Sequence, residues 1–325
     1  MSTPTLDVRH LHTEFVTRAG IVRAVSDVSF AVQPGQIMGL VGESGSGKSI
    51  TGYSIMGLVD APGRVVGGSI MLGGRELRDL APQAMRALRG DRIAMIFQDP
   101  MMTLNPVLRI DTQMIEAVLA HRPLGHRRAY ELSCQALARV GIAAPESRMT
   151  AYPHQFSGGM RQRVAIAIAL LNQPDLIICD EPTTALDVTI QAQILYEMQK
   201  LCRESGTALI WITHDLSVVA GLADTVCVMY AGRIVESGTV QQVLETPRHP
   251  YTHGLIASAP SRNPRGQPLQ QIAGSTPSLL NLPAGCAFRQ RCGYASALCA
   301  TTPPLEEANG RSLRCFHALH DGVTA

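Results

Sequence analysis

Lysine is almost missing from this sequence. Of 28 basic residues only Lys48 and Lys200 are lysine, and the other 26 are arginine. A GC-rich coding bias accounts for the arginine excess, and it makes each surviving lysine worth inspecting. An excess of one charge is missing as well. The 26 acidic residues leave a net charge of +2, and no basic stripe is concentrated anywhere, which argues against a protein built to hold a nucleic-acid backbone. Long apolar runs are absent. The longest, Val164 to Leu171, is about half of a bilayer span. The opening MSTPTLDVRH has no basic region followed by an apolar core. The expectation is a soluble or peripheral protein that stays in the cytoplasm. There is no internal repeat and no low-complexity tract. What is present suffices for a packed core: 46% apolar and 17% charged residues in a chain of 325, enough for one large domain or two modest ones.

Eight cysteines would suit a disulfide framework only in a short secreted chain. Cys134, Cys179, Cys202 and Cys227 are scattered through apolar or helical segments and read as buried, inert thiols. Cys286, Cys292, Cys299 and Cys315 crowd into the last 40 residues.

The pattern along the chain predicts α/β architecture. Short β-like runs over 13–16, 22–25 and 28–32 precede a buried strand at Ile37 to Val41 that ends in a glycine-rich loop. A helix follows over 50–59, another is expected over 75–90, and Ile93 to Phe97 reads as a second buried strand. Residues 111–140 are helical and Arg-rich. An Ala/Ile helix over 161–171 leads to strands at Leu176–Cys179, Leu209–Thr213 and Thr225–Tyr230, with Arg233–Glu236 as a hairpin partner. An amphipathic helix lies over 190–204, with Lys200 on its solvated side. Strands alternating with helices indicate a mostly parallel sheet, interrupted by a helical insert over about 99–163. Beyond about residue 250 Pro, Gly and Ser become frequent. The division expected is therefore 1–250 and a C-terminal extension, 251–325.

Gly42-Glu43-Ser44-Gly45-Ser46-Gly47-Lys48-Ser49 fits the phosphate-loop pattern G-x-x-x-x-G-K-[ST]. Gly42, Gly45 and Gly47 let backbone N–H groups turn toward phosphate oxygens where a Cβ would intrude, and Ser44 lies within that cradle. The helix starting near Lys48 presents its positive end to the anion. Lys48 supplies a slender point charge that a planar guanidinium cannot replace, and the Ser49 hydroxyl is placed to ligate Mg²⁺. Further on, the strand Leu176–Cys179 delivers Asp180 and Glu181 at its C-terminal end, where open α/β sheets place ligands. Asp180 is placed to hold Mg²⁺, directly or through water, and Glu181 to polarise an attacking water.

Phe156-Ser157-Gly158-Gly159-Met160-Arg161-Gln162-Arg163, lying between those elements, resembles the signature of the ATP-binding subunits of ABC transporters, written LSGGQ in that family. Here Phe replaces Leu and Met replaces Gln. Taken alone, Ser157 could equally be a plain helix cap. The resemblance implies a P-loop NTPase fold with a RecA-like core, an antiparallel β subdomain and a helical subdomain, followed here by an irregular Cys-containing extension. It implies that Ser157, Gly158 and Gly159 bind the γ-phosphate of ATP held on a partner subunit. It matches Gln98 to a glutamine that contacts Mg²⁺ and water and senses the membrane subunit. His214 is matched to a histidine that contacts the γ-phosphate, and Ala185-Leu186-Asp187 to a loop crossing the dimer interface. Phe15 is matched to an aromatic that stacks on adenine, although it could equally be simple core.

The segments Glu181 to Thr189, Met229-Tyr230-Ala231-Gly232-Arg233 and His249-Pro250-Tyr251-Thr252 look like the dipeptide/oligopeptide importer ATPases. So does the tail from Pro283 to Cys292. Importers of nickel and of some other small solutes share these features. The resemblance implies an ATPase paired with a similar but distinct ATPase, two membrane permease subunits and, indirectly, a solute-binding protein. It places the chain at the cytoplasmic side of the inner membrane. An ABC ATPase acting on DNA or ribosomes would be expected to carry coiled coils, zinc modules or two cassettes. A small-molecule phosphotransferase would have no use for Ser157-Gly158-Gly159. The tail spacing, C-x5-C-x6-C-x15-C, matches neither zinc ribbons nor ferredoxins. Cys286, Cys292, Cys299 and Cys315 could hold an iron–sulfur cluster such as [4Fe-4S], as the resemblance implies for some members. They could instead hold structural zinc or remain plain thiols.

Overall fold

The computed structural model describes residues 3–183, 187–259, 263, 266, 268 and 270–319. Ala185 and Leu186 lie outside the described residues. The strands are β1 (Leu6–Thr17), β2 (Gly20–Val32), β3 (Ile37–Val41), β4 (Gly63–Leu72), β5 (Arg75–Glu76), β6 (Ile93–Ile96), β7 (Leu176–Asp180), β8 (Ala208–Thr213), β9 (Thr225–Tyr230), β10 (Arg233–Thr239), β11 (Glu306–Ala308) and β12 (Arg311–Leu313). The α-helices are α1 (Lys48–Met56), α2 (Pro82–Leu88), α3 (Ile110–Leu119), α4 (His126–Arg139), α5 (Pro145–Met149), α6 (Gly158–Leu170), α7 (Val188–Ser205), α8 (Leu216–Leu222), α9 (Val240–Leu244) and α10 (Pro250–Ala257). These elements form two compact units. One is built mainly from Leu72–Trp211, the other from Asp7–Ala31, Met38–Met71 and Ile212 onward.

In the first unit β6 and β7 run parallel, with Ile93 opposite Leu176 and Ile96 opposite Cys179. Every residue of β6 and β7 is buried. Strands covered on both faces need no polar alternation, which is why they read as continuous apolar runs. Helix α4 packs against both α3 and α6, and α6 buries Val164, Ala165, Ile166 and Ala167.

Several boundaries in this unit differ from the sequence expectation. The helix expected over 75–90 is confined to α2, because Pro82 fits the first helical turn, where its missing N–H costs nothing. Arg75–Glu76 is a short strand instead. The helical stretch over 111–140 is two helices, interrupted around Pro123 and Gly125, which cannot propagate a helix well. α6 begins at Gly158, three residues earlier than expected, because Ser157 caps it: the Ser157 hydroxyl accepts from Met160 N–H at 3.3 Å.

In the second unit β2, β1 and β4 are neighbours in one sheet, and β11-β12-β10-β9-β3 is the strand order of another. β3 and β9 are parallel, with Met38 opposite Thr225 and Val41 opposite Val228. β10 is antiparallel to both β9 and β12. The three short β-like runs near the start are two long strands. His10 and Asp27 take positive φ inside them (47° and 59°), and His10 Nδ1 lies 2.7 Å from Asp27 Oδ1. These irregular positions break the period-2 pattern that the sequence reading depends on.

The tail does more apolar packing than its composition suggests. Phe288 is buried in the cluster of Val226, Val228, Tyr230, Val243 and Tyr251, with Cys286 and Cys292 packed against it. Its ring meets Tyr230 and Tyr251 edge-on at centroid separations of 5.3 and 5.4 Å. Among the described residues no helix is long and apolar enough to cross a membrane.

Candidate functional site: a phosphate loop and a pair of strand-end carboxylates

The phosphate loop sits between β3 and α1 in the second unit. β3 is wholly buried, so the chain leaves the sheet at Val41 and must turn at once. Gly42 makes the turn at φ +152°, and a Cβ there would lie 2.2 Å from the Met229 carbonyl oxygen. Gly47 takes φ +104° immediately before α1, and its Cβ would meet the Ala24 carbonyl at 2.5 Å. Only glycine fits either position. No side chain caps the N-terminus of α1, so the positive end of that helix is left facing the loop.

Lys48 is buried. Its Nζ donates to the loop's own carbonyls, Gly42 at 2.8 Å and Glu43 at 3.0 Å. The ammonium is thereby held inside the curve of the loop, where phosphate oxygens can replace those carbonyls as acceptors. The Ser46 hydroxyl is fully buried and has no hydrogen-bond partner among the described residues, an orphan that a bound oxyanion would satisfy. Ser44 and Gly45 are exposed, and Ser49 is half-buried in the first turn of α1. His214 is exposed after β8. It lines, together with Gly42, a cleft of about 770 Å³ bounded by Asp215, Leu216 and Ile256. The phosphate loop and His214 thus open on the same space. Phe15 lies on β1, half-buried against Gly63, where a Cβ would come within 2.5 Å of its ring.

The strand-end carboxylates belong to the first unit. Asp180 is the last residue of β7 and is 2% exposed. Glu181 follows at φ 46°, a left-handed conformation that a glutamate adopts at some cost. Gln98 follows β6, and its Nε2 donates to Glu181 Oε2 at 3.4 Å. β6 and β7 are parallel neighbours, so their C-terminal ends bring these two side chains together. Ser157, Gly158 and Gly159 open α6; Ser157 and Gly158 are exposed, and nothing lies within 4 Å of a Cβ built on Gly158. Asp187 is exposed and caps α7 by accepting from Ile190 N–H at 3.0 Å. The hard oxygen donors of Ser49, Asp180 and Gln98 are of the type Mg²⁺ takes.

The sequence reading passed over the residues that brace the phosphate loop. The Glu43 carboxylate receives Arg291 Nη1 at 2.7 Å, Arg291 Nη2 at 3.0 Å and the Thr276 hydroxyl at 2.7 Å. The Arg291 guanidinium holds the Glu43 carboxyl below its ordinary range. Glu43 N–H donates to Tyr251 Oη at 2.9 Å, which gives the His249-Pro250-Tyr251-Thr252 segment a structural purpose. Glu236 is also fully buried. It accepts from the N–H groups of Arg248 (2.8 Å) and His249 (3.0 Å) and from Arg311. The signal that could have exposed these residues is a carboxylate at a place that ought to repel it.

Cys134, Cys179, Cys202 and Cys227 are buried, as expected. Burial raises the thiol of Cys179 well above its ordinary value and that of Cys227 to about 12. The tail cysteines are gathered in one region. Cys286 N–H donates to the Cys299 carbonyl at 3.0 Å. The Cys315 thiol is raised to about 11, first by burial, and Cys286, Cys292 and Cys299 all add to the shift. Among the described residues no three His, Cys, Asp or Glu side chains converge on a single metal ion.

Residues 25–184 match the family model described as ABC transporter, and residues 235–299 match the oligopeptide/dipeptide transporter, C-terminal region. The chain is 48% identical over 317 residues to the oligopeptide transport ATP-binding protein OppD of Escherichia coli K12, covering 97% of this chain and 94% of that protein. It is 46% identical to the oligopeptide transport ATP-binding protein AppD of Bacillus subtilis 168, covering 99% of each. Among solved structures, the dimeric bacterial ABC transporter cassette MJ0796 superposes with a TM-score of 0.66 at 25% identity, over 72% of this chain and 98% of that one.

Proposed function

This chain belongs to the ATP-binding subunits of ABC transporters, and from that premise we propose that it binds and hydrolyses ATP to power the import of di- or oligopeptides. The observation that carries the proposal is the near-full-length likeness to two oligopeptide transport ATP-binding proteins, joined to a phosphate loop whose lysine is buried and poised on its own carbonyls. The domain reading is a nucleotide-binding domain over 1–250, with its helical subdomain over about 99–163, and a peptide-transporter-type extension over 251–325.

The work divides among this chain's residues as follows. The N–H groups of Gly42 to Gly47 and the end of α1 cradle the β- and γ-phosphates, and Lys48 neutralises them. Phe15 stacks on the adenine. Mg²⁺, when bound, offsets phosphate charge, and Ser49, Asp180 and Gln98 would hold it. Glu181, oriented by Gln98, takes the proton of the attacking water, and His214 stabilises the spreading γ-phosphoryl charge. Ser157, Gly158 and Gly159 close on the ATP of a partner ATPase, a similar but distinct chain, and Asp187 lies at that interface. Two membrane permease subunits receive the motion on the cytoplasmic face of the inner membrane, and a solute-binding protein delivers the cargo. A nickel or other small-solute importer would use the same ATPase.

For the tail we propose that Cys286, Cys292, Cys299 and Cys315 ligate an iron–sulfur cluster of the [4Fe-4S] kind. Four soft sulfur donors within electrostatic reach of one another support this reading. Visible absorbance with bound iron in anaerobically purified protein supports it, and a colourless, iron-free protein removes it. The transport reading is tested by reconstituting the chain with its permeases in vesicles. ATP-dependent uptake of a labelled peptide supports it, and uptake of nickel without peptide redirects it to the other solute class.

A further inference from the structure

We propose that Arg291 in the C-terminal extension is a positioning residue for the phosphate loop, acting through Glu43. A carboxylate on a loop that binds a polyanion is electrostatically out of place, since it repels the ligand the loop exists to hold. The structure shows how that charge is handled. Both oxygens of Glu43 are taken by Arg291, at 2.7 and 3.0 Å, a bidentate pairing that fixes direction as well as charge. Thr276 adds a third bond at 2.7 Å.

Arg291 is itself immobilised. Its side chain is 6% exposed. Nε donates to the Ala273 carbonyl at 2.9 Å, and Nη1 lies 3.4 Å from Tyr230 Oη. The guanidinium carbon is 5.9 Å from the ring centres of both Tyr230 and Phe288.

The backbone of the same glutamate is held on both sides. Its N–H goes to Tyr251. Its carbonyl accepts from Ser46 N–H at 3.2 Å and is one of the acceptors on which Lys48 rests. Three of the groups that grip Glu43 (Tyr251, Thr276 and Arg291) lie beyond residue 250. The extension therefore neutralises the one carboxylate in the loop, turns it away from the phosphate side and sets the height of the carbonyl beneath Lys48.

The inference rests on the loop being the ATP site, and the test separates the two. MgATP dissociation constants are measured for the full-length chain as wild type, Lys48→Ala, Arg291→Ala, Arg291→Lys and Glu43→Gln with Arg291→Ala. Wild-type binding that Lys48→Ala abolishes upholds the loop as the ATP site. A wild type that binds no MgATP overturns both readings. Arg291→Ala should weaken binding about tenfold. Arg291→Lys should lose less, because it keeps the charge without the fork. The double variant should bind more tightly than Arg291→Ala alone, because the stranded carboxylate is gone. A purely structural brace predicts a lower melting temperature with unchanged affinity in the folded protein, and no rescue by Glu43→Gln. Either result overturns the inference.

Discussion

Gln98 and Glu181 meet at the C-terminal ends of two parallel strands, Nε2 to Oε2 at 3.4 Å. The carboxylate is set at this spot by the left-handed backbone of Glu181 and steered by an amide that can donate but carries no charge. In the role proposed for it, accepting a proton from water, Glu181 is better served by such an orienting neighbour than by a countercharge, which would lower its basicity. Glu181→Gln should therefore leave MgATP binding intact and reduce turnover by about 10²–10⁴-fold. Equilibrium nucleotide binding and steady-state phosphate release on the same preparation check this. Normal turnover in the variant would remove Glu181 from the role.

Gly42 tests the loop differently. A methyl group there meets the Met229 carbonyl oxygen at 2.2 Å, in a φ region that side chains rarely enter. Met229 is buried in β9, a parallel neighbour of the wholly buried β3, so the carbonyl cannot retreat cheaply. Gly42→Ala should displace the loop and lose MgATP binding. At Gly74 φ is also positive, but nothing lies within 4 Å of a Cβ. Gly74→Ala should cost only the backbone strain, about 1 kcal/mol, read as a small drop in the denaturation midpoint. Equal losses at the two sites would show that the clash is relieved elsewhere.

What the sequence made legible was the local chemistry. Gly42 to Ser49, Asp180-Glu181 and Ser157-Gly158-Gly159 are short motifs of consecutive residues, each placed at the end of a strand or the start of a helix, and the buried strands β6 and β7 announce themselves by unbroken apolar runs. Helix limits were less legible, because Ser157 and Pro82 set them by capping and ring geometry rather than by hydrophobic period. The bracing of the loop was legible only as a misplaced carboxylate, Glu43, and its partner was not. Glu43 and Arg291 are 248 residues apart, and in a chain where nearly every cation is arginine, no pattern marks the one that pairs. The same holds for Glu236 and Arg311, 75 residues apart.

Glu236 is fully buried, and its carboxylate ties the start of α10 to β12 through the N–H groups of Arg248 and His249 and the Arg311 guanidinium. Removing one partner of a buried pair strands the other charge, which costs about 3–5 kcal/mol. Arg311→Ala should lower stability by that amount. Replacing both members together, Glu236→Gln with Arg311→Met, should cost less than the single change, because no naked charge remains. Chemical denaturation of the three proteins decides. A double variant worse than Arg311→Ala would mean that the carboxylate's bonds to the backbone outweigh its pairing.

His249 makes acid stability testable at one residue. The ring is 1% exposed. Its Nδ1 accepts from Tyr251 N–H at 3.0 Å. Phe288 lies 5.9 Å away, centre to centre. Burial pushes the imidazole down to about 3, against a weaker upward pull from the Arg314 backbone. Unfolded, it would titrate near its ordinary value of about 6.5. Between those two values the unfolded chain binds the extra proton and the folded one does not. Stability must therefore fall as pH drops below about 6.5, at up to about 1.4 kcal/mol per pH unit from this group, and the loss ends near the folded value. His249→Asn removes the titration yet keeps an oxygen that can cap α10. Denaturant midpoints at neutral and mildly acidic pH should diverge, with the wild type losing more than the variant by about 1.5 kcal/mol over the first pH unit and a half. Parallel losses would show that the acid sensitivity comes from other groups and that His249 is already charged, or exposed, when the protein is folded.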